Sequence, residues 1–285
     1  MNIFRNTIFL LVILALSNTI KGQDVIYSKS DSLIYDDYIK TFSKDREKSF
    51  GELIINTAKF FLNKPYVAST LEVSESEKLV VNLRELDCTT FVENCIALSG
   101  IIKFERQSFS DYCALLTYIR YRGGEINGYT SRLHYTSDWA YENKEKEILK
   151  NISGDIGGHM VLKNINFMST HPQAYKHLNN NKENLAKIKV IEDSINSRKA
   201  YIVIPISAIP ANNKDIQNGD IVAFATSTEG LDYSHVGIAY WENKRLHFIH
   251  ASSKMKKVVI EQKTLLDYCK DSKNCTGISI FRINN

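Results

Sequence analysis

The chain has 285 residues, 44% of them hydrophobic and 24% charged, with 13 Gly and only 4 Pro. That composition excludes a disordered, collagen-like or low-complexity protein and leaves a globular chain long enough to bury a full core. The formal net charge is +4, and without Arg5 and Lys21 it is +2, which gives no electrostatic reason to expect nucleic acid or an anionic membrane as partner.

Residues 1–22 begin with Arg5 and continue into an apolar run, residues 8–16, too short to span a bilayer comfortably. Polar residues follow, and Gly22 is small enough for a signal peptidase to cut behind it. This is the pattern of a secretory signal peptide, so residues 23–285 are expected to be exported to the periplasm or beyond. Residues 23–48 are polar and mixed and read as a leader packed loosely on the main body. Residues 50–62 carry apolar side chains at helical spacing, and residues 71–83 alternate around a Ser-Glu-Ser-Glu centre, as in two strands joined by a turn. A helix is expected over 87–100, with Asp87 as N-cap and Gly100 as stop, and another over 109–122, closed by Gly123-Gly124.

Residues 125–197 show few periodic signals and read as insertions within one domain. Beyond them come short apolar strands at 201–204, 220–225, 235–241, 245–250, 258–260 and 277–283, with a helix near 264–268. Helices first and an antiparallel sheet afterwards make an α+β domain. The five cysteines show no C-x-x-C spacing, and no acid–His cluster calls for a metal or cofactor; none is expected. Cys269 and Cys275 either bridge a short loop or stay two half-buried thiols.

Cys88 directly follows the N-cap, where free backbone N–H groups and the helix dipole favour a thiolate. Cys88, Phe91, Val92, Cys95 and Ile96 form one apolar face, with Cys88 at its leading edge. A nucleophilic cysteine needs a base. His235 opens one strand and His250 closes the next, and a hairpin turn near residues 242–244 makes them neighbours. The pair suits a base and the residue that orients it. An early helix bearing Cys and a later sheet bearing both His is a papain-like arrangement.

Asp87-Cys88-Thr89, Gly219-Asp220-Ile221-Val222, Ser234-His235-Val236-Gly237-Ile238 and Ile249-His250-Ala251 resemble the successive motifs of the NlpC-type bacterial cell-wall cysteine hydrolases. Pro65-Tyr66 resembles the pair that precedes the nucleophile in that family. Thr89-Thr90 replaces the usual Ser-Gly, and the variant D-C-T-T-F-V-E is similar to a narrower branch, the N-acetylmuramoyl-L-alanine amidase-like proteins. The segments at 79–83, 121–124, 131–135, 138–139 and 230–232 also fit that branch, so the similarity runs from about residue 50 to the C-terminus.

The resemblance implies a papain-like NlpC-type fold and cleavage of the amide joining N-acetylmuramic acid to L-alanine in peptidoglycan or muropeptides. Cys88 would be the nucleophile, His235 the base and His250 its orienting partner. The Cys88 N–H and the Tyr66 hydroxyl would meet the oxyanion, with Asp87 as support. Arg132 is a candidate to pair with a peptide carboxylate, and Tyr135 and Trp139 to stack on sugar. The alternative for the two rings is that they plug the core beneath an insertion. Rival activities are an endopeptidase cutting between D-glutamate and the diamino acid, and a thiol acyltransferase; a wall-binding protein without activity ranks last, because Cys and His are both present. Soluble muropeptide is the expected partner, and a monomer the expected state.

Overall fold

The computed structural model describes residues 25–198, 201–209 and 215–284. The expected signal segment, residues 1–22, lies outside them. Helices α1 (Lys29–Phe42), α2 (Phe50–Phe60), α3 (Cys88–Lys103) and α4 (Phe109–Arg120) come first. Then follow α5 (Thr136–Glu145), β1 (Leu149–Asn151), β2 (His159–Met160), α6 (Phe167–Thr170) and α7 (Lys182–Ser197). The C-terminal part is β3 (Ile202–Pro205), β4 (Ile221–Thr226), β5 (Tyr233–Glu242), β6 (Arg245–Ser252), β7 (Lys257–Ile260), α8 (Leu265–Asp271) and β8 (Cys275–Ile283).

The strands pair antiparallel in the order β2-β3-β8-β4-β5-β6-β7, with β1 also on β8. This is the α+β order that the strand pattern predicts. The sheet separates two cores because side chains along a strand alternate sides. On β4, Ile221, Ala223 and Ala225 join the helices, while Val222 and Phe224 join Leu265 and Cys269 of α8. Helix α3 is buried nearly all round, which places it at the centre of the helical layer.

The segment before α2 is not a loose leader. Ser28 caps α1 in a reciprocal box with Asp31, and Asp31 also accepts from the Leu83 backbone at 2.9 Å and from Arg84 at 3.1 Å. Tyr38 is buried and its hydroxyl meets Thr57, which in turn meets Ser99 of α3. A buried chain of hydroxyls thus ties α1, α2 and α3 together.

Residues 71–83 do not form a hairpin. Their backbone runs irregularly and meets the N-terminal segment through an isolated bridge between Ile26 and Val80 and the Leu83 N–H bond to Asp31. Gly100 does not stop α3 either, since the helix continues to Lys103. Its role is packing: a Cβ there would sit 2.5 Å from Leu115 Cδ2 of α4. The middle of the chain holds the helices α5 and α7, which its weak periodicity hides. Helix α7 packs on a satellite core of Tyr129, Tyr135, Ile165, Met168, Ile188 and neighbours, separate from the two main cores, while Trp139 and Ala140 of α5 join the main helical core. All five cysteines are free thiols, with Cys269 and Cys275 close enough to hydrogen-bond.

Candidate active site

The chain after α2 positions the start of α3. Asn63 N–H donates to Val258 O at 2.9 Å, Val258 N–H to Lys64 O at 2.9 Å, and Tyr66 N–H to Lys256 O at 2.9 Å. Leu86 N–H donates to Pro65 O at 3.0 Å, and Val67 N–H to Leu86 O at 3.2 Å. Pro65-Tyr66 is therefore clamped between the β6–β7 turn and the residues that lead into α3. The Tyr66 phenol is partly buried, and burial, then Cys88, then Asp87 raise its pKa. Tyr66 thus stands beside the nucleophile candidate.

Asp87 caps α3: its carboxylate accepts from Thr90 N–H at 2.8 Å, and Thr90 Oγ1 accepts from Asp87 N–H at 2.9 Å. Cys88 is then the first helical residue and is half-buried. The backbone N–H of Val236, next to His235, donates to its sulfur, which joins the helix start to β5. Position at a helix start favours a thiolate, yet it does not win here. Burial first and the Asp87 carboxylate second push the Cys88 thiol up to about 11, against the hydrogen bonds from Val236 and Thr89.

The histidines meet as the hairpin predicts. Ile238 pairs with Ile249 across β5 and β6, and His235 Nε2 lies 2.6 Å from His250 Nδ1. Gly237 sits between them in the chain, and a Cβ there would crowd Phe248 Cδ2 at 2.9 Å and His250 Cβ at 3.3 Å. Phe224 and Tyr268 flank His235 at ring distances of 5.6 and 6.5 Å, and Phe248 flanks His250 at 4.6 Å.

Behind His250 stands Glu261, whose Oε2 is 3.5 Å from His250 Nε2. That spacing is longer than a good hydrogen bond, and among the described residues Nε2 has no hydrogen-bond partner, so the contact is electrostatic. An ionised carboxylate only accepts, so it favours the tautomer with hydrogen on His250 Nε2. His250 Nδ1 then accepts from His235 Nε2–H, and His235 Nδ1 is left with a free lone pair. Sequence reasoning misses Glu261; its one signal is its place just past strand 258–260, the strand that pairs with the second strand of the hairpin.

Burial, joined by the neighbouring His250 charge, holds His235 down to about 3, and burial holds His250 down to about 4. Both rings are therefore neutral at pH 7. A histidine whose folded pKa is depressed contributes stability that is present above about pH 6.5 and lost as pH falls toward the folded value. The unfolding free energy of wild type relative to a His235→Gln/His250→Gln variant is expected to drop by about 2–4 kcal/mol between pH 7 and 4.5. Denaturant titrations at stepped pH check this, and a difference that does not change with pH contradicts it.

The structure does not bring the other predicted contacts to the thiol as exposed groups. Arg132 is buried and paired inside the protein, 2.5 Å from Glu72 and 3.2 Å from Glu77, with its guanidinium over the Tyr129 ring. Its charge is thus already matched by two carboxylates. Tyr135, 3% exposed, donates to Glu192 at 2.7 Å and accepts from Met168 N–H at 2.8 Å, which anchors the satellite core. Trp139 is 4% exposed and offers no open ring face for a sugar. Among the described residues no trio of His, Cys, Asp or Glu is placed to hold a metal, and no helix is long and apolar enough to cross a membrane.

Comparison with known proteins bears on this arrangement. A family model described as AmiA-like, N-acetylmuramoyl-L-alanine amidase-like, matches residues 56–278. The chain belongs to the AmiA-like family. The match spans the Pro-Tyr segment, α3 and the β5–β6 hairpin, so all residues of the thiol–imidazole cluster lie inside it. A solved structure of an N-acetylmuramoyl-L-alanine amidase from Bacteroides uniformis is 40% identical, with a TM-score of 0.78, over 83% of this chain and 99% of that one. A Bacteroides fragilis structure carrying a provisional xylanase name is 38% identical, with a TM-score of 0.74, over 80% of this chain and 99% of that one. A Legionella pneumophila protein, 22% identical over 90% of this chain and 95% of that one with a TM-score of 0.67, shares the fold. No curated relative matches the chain. AmiA-like membership supports an amidase-type enzyme acting on peptidoglycan-related material.

Proposed function

We propose that this protein is an exported cysteine amidase of papain-like, NlpC-type design. It hydrolyses the amide between the lactyl carboxyl of N-acetylmuramic acid and L-alanine. The observation that carries the reading is the 2.6 Å contact of His235 with His250 beside a helix-start cysteine held by the Val236 N–H. His235 Nδ1 takes the Cys88 proton as the sulfur attacks the carbonyl, forming the S–C bond. The resulting oxyanion is met by the Cys88 N–H and the Tyr66 hydroxyl, and each such donor is worth about 100-fold or more in rate. His235 then protonates the alanine nitrogen, the C–N bond breaks, and water hydrolyses the thioester to release the muramic acid carboxylate.

Because the resting pair is neutral thiol and neutral imidazole, proton transfer and attack are coupled rather than preceded by a standing ion pair. The xylanase name of one relative points to a different chemistry, which uses two carboxylates flanking the scissile bond. At this site the two carboxylates are already engaged, Asp87 as the cap of α3 and Glu261 facing His250, and the groups beside the nucleophile suited to proton transfer are imidazoles. Mass spectrometry of purified muropeptides after incubation with residues 23–285 tests the reading. Release of an intact peptide beginning with L-alanine, together with free sugar, is expected. Cleavage inside the peptide would assign the endopeptidase activity, transfer of the acyl group to an added amine the acyltransferase, and cleavage between sugars a glycoside hydrolase.

A further inference from the structure

The sheet divides the five cysteines. Cys88, Cys95 and Cys113 lie on its helical side, whereas Cys269 and Cys275 are buried together in the opposite core, which α8 covers. Cys269 belongs to α8 and Cys275 opens β8. The connection between them is fixed by its own backbone. Ser272 N–H donates to Tyr268 O at 3.1 Å, Cys275 N–H donates to Ser272 O at 3.2 Å, and Cys275 pairs with Thr226 of β4. The two side chains meet across this turn, where the Cys269 thiol donates to the Cys275 sulfur. That contact holds the Cys275 thiol below its ordinary pKa, which makes Cys275 the readier thiolate of the two.

A helix of seven residues is too short to be stable alone. Helix α8 is seated by two fully buried side chains, Leu265 and Cys269. Directly before Cys269, Tyr268 places its ring 6.0 Å from His250, 6.5 Å from His235 and 4.8 Å from Phe248. Whatever fixes this end of α8 therefore also fixes one wall of the imidazole pair.

We propose that Cys269 and Cys275 form an intrachain disulfide as the chain folds outside the cytoplasm, and that this bond ties α8 to β8 beside the two imidazoles. The Cys275 thiolate attacks a donor disulfide, an S–S bond forms to one donor sulfur, and the other leaves as a thiolate. Cys269 then loses its proton and attacks the Cys275 sulfur, so the mixed disulfide breaks and the second donor sulfur leaves. Two protein thiols are oxidised, and one donor disulfide, carried by a dithiol oxidase or by glutathione, is reduced to two thiols. The inference rests on the export reading, because a reducing compartment keeps such thiols free, and not on which amide is cleaved. Cys88, on the other side of the sheet, is left as the free thiol that the mechanism needs.

Intact mass after alkylation under denaturing conditions tests this on the chain produced with residues 1–22 in place. In material recovered outside the cytoplasm, Cys88, Cys95 and Cys113 are expected to be alkylated, three of the five, with Cys269 and Cys275 joined in one peptide. Alkylation of all five there, or a bond to any other cysteine, overturns the proposal and leaves export intact. If the chain stays in the cytoplasm, the export reading fails, and refolding of residues 23–285 in a glutathione redox buffer decides. Closure of the 269–275 bond then supports the pair as a disulfide site, and five free thiols overturn it. Cys269→Ser/Cys275→Ser is expected to melt about 5 °C below the oxidised wild type. Its amides over residues 265–271 are expected to exchange hydrogen at least about 10-fold faster. Equal melting temperatures or unchanged exchange overturn the tie to α8. If the variant does not fold, the same comparison is made between oxidised wild type and wild type refolded in reductant.

Discussion

Replacing Cys88 with alanine is expected to lower kcat/KM on the muramoyl–alanine bond by about 10⁴-fold or more, with the fold retained. The size follows from the chemistry, since neither His235 nor water supplies a nucleophile that forms a covalent intermediate at this position. The retained fold follows from the local structure. The helix start is capped by Asp87 and Thr90, which the substitution does not touch, and what it removes is one sulfur that accepts from Val236 and Thr89. The stability change is therefore expected to stay within about 1–2 kcal/mol. Turnover with purified muropeptide, alongside thermal unfolding of both proteins, checks both halves. Residual turnover within 100-fold of wild type in a folded Cys88→Ala protein would sink the thiol mechanism. Alkylation supplies an independent reading: Cys88 is half-buried while Cys95, Cys113, Cys269 and Cys275 are buried, so a thiol reagent is expected to label Cys88 first, faster as pH rises toward 11.

Removing His250 is expected to be nearly as damaging. His235→Ala removes the base outright, whereas His250→Ala leaves the base and removes what holds its tautomer. With His250 gone, His235 Nε2 loses the acceptor at 2.6 Å and the ring is free to place hydrogen on Nδ1, the nitrogen that must take the thiol proton. Wrong-tautomer losses of this kind reach about 10⁴-fold, and we expect about 10³- to 10⁴-fold in kcat with a smaller change in KM. His250→Asn offers a side-chain oxygen to the same N–H and is expected to recover at least about 10-fold of that loss. Glu261→Gln, which replaces the carboxylate 3.5 Å behind His250, is expected to cost less, about 5- to 20-fold. If His250→Ala stays within 10-fold of wild type, the second histidine is a packing residue and the relay is wrong.

Much of the cluster is legible in the sequence because its signals are short-range. Asp87 followed by Thr90 specifies a capping box, which fixes Cys88 as the first helical residue whatever surrounds it. The alternation on either side of residues 242–244 specifies a hairpin, and Asn243 and Lys244 adopt the positive φ values, 49° and 63°, that a tight two-residue turn requires. Once that turn is set, His235 and His250 become neighbours by register alone.

Other elements are hidden because their stabilising partners are distant. Helix α7 carries few buried apolar residues, so its period is faint; it is held by the Asn181 cap and by Glu192, buried against Tyr135 from 57 residues away. Residues 71–83 alternate as strands do, yet their side chains serve other ends: Glu72 and Glu77 pair with Arg132, and Glu77 also accepts from Tyr121. Arg132 illustrates the same limit. In sequence it is a free cation suited to a substrate carboxylate, and only the fold supplies the two internal carboxylates that match it.

By itself, then, the sequence determined what neighbouring residues settle: the caps, the strand alternation, the hairpin, and through them the thiol at a helix start and the two facing imidazoles. Tertiary structure alone decided the protonation states, Glu261 behind His250, the tight docking of α1, and the fate of Arg132 and Trp139. The physical reason is that caps and turns are closed by hydrogen bonds spanning a few residues, while pKa values and ion pairs depend on desolvation and on charges that only the complete fold brings within a few ångströms.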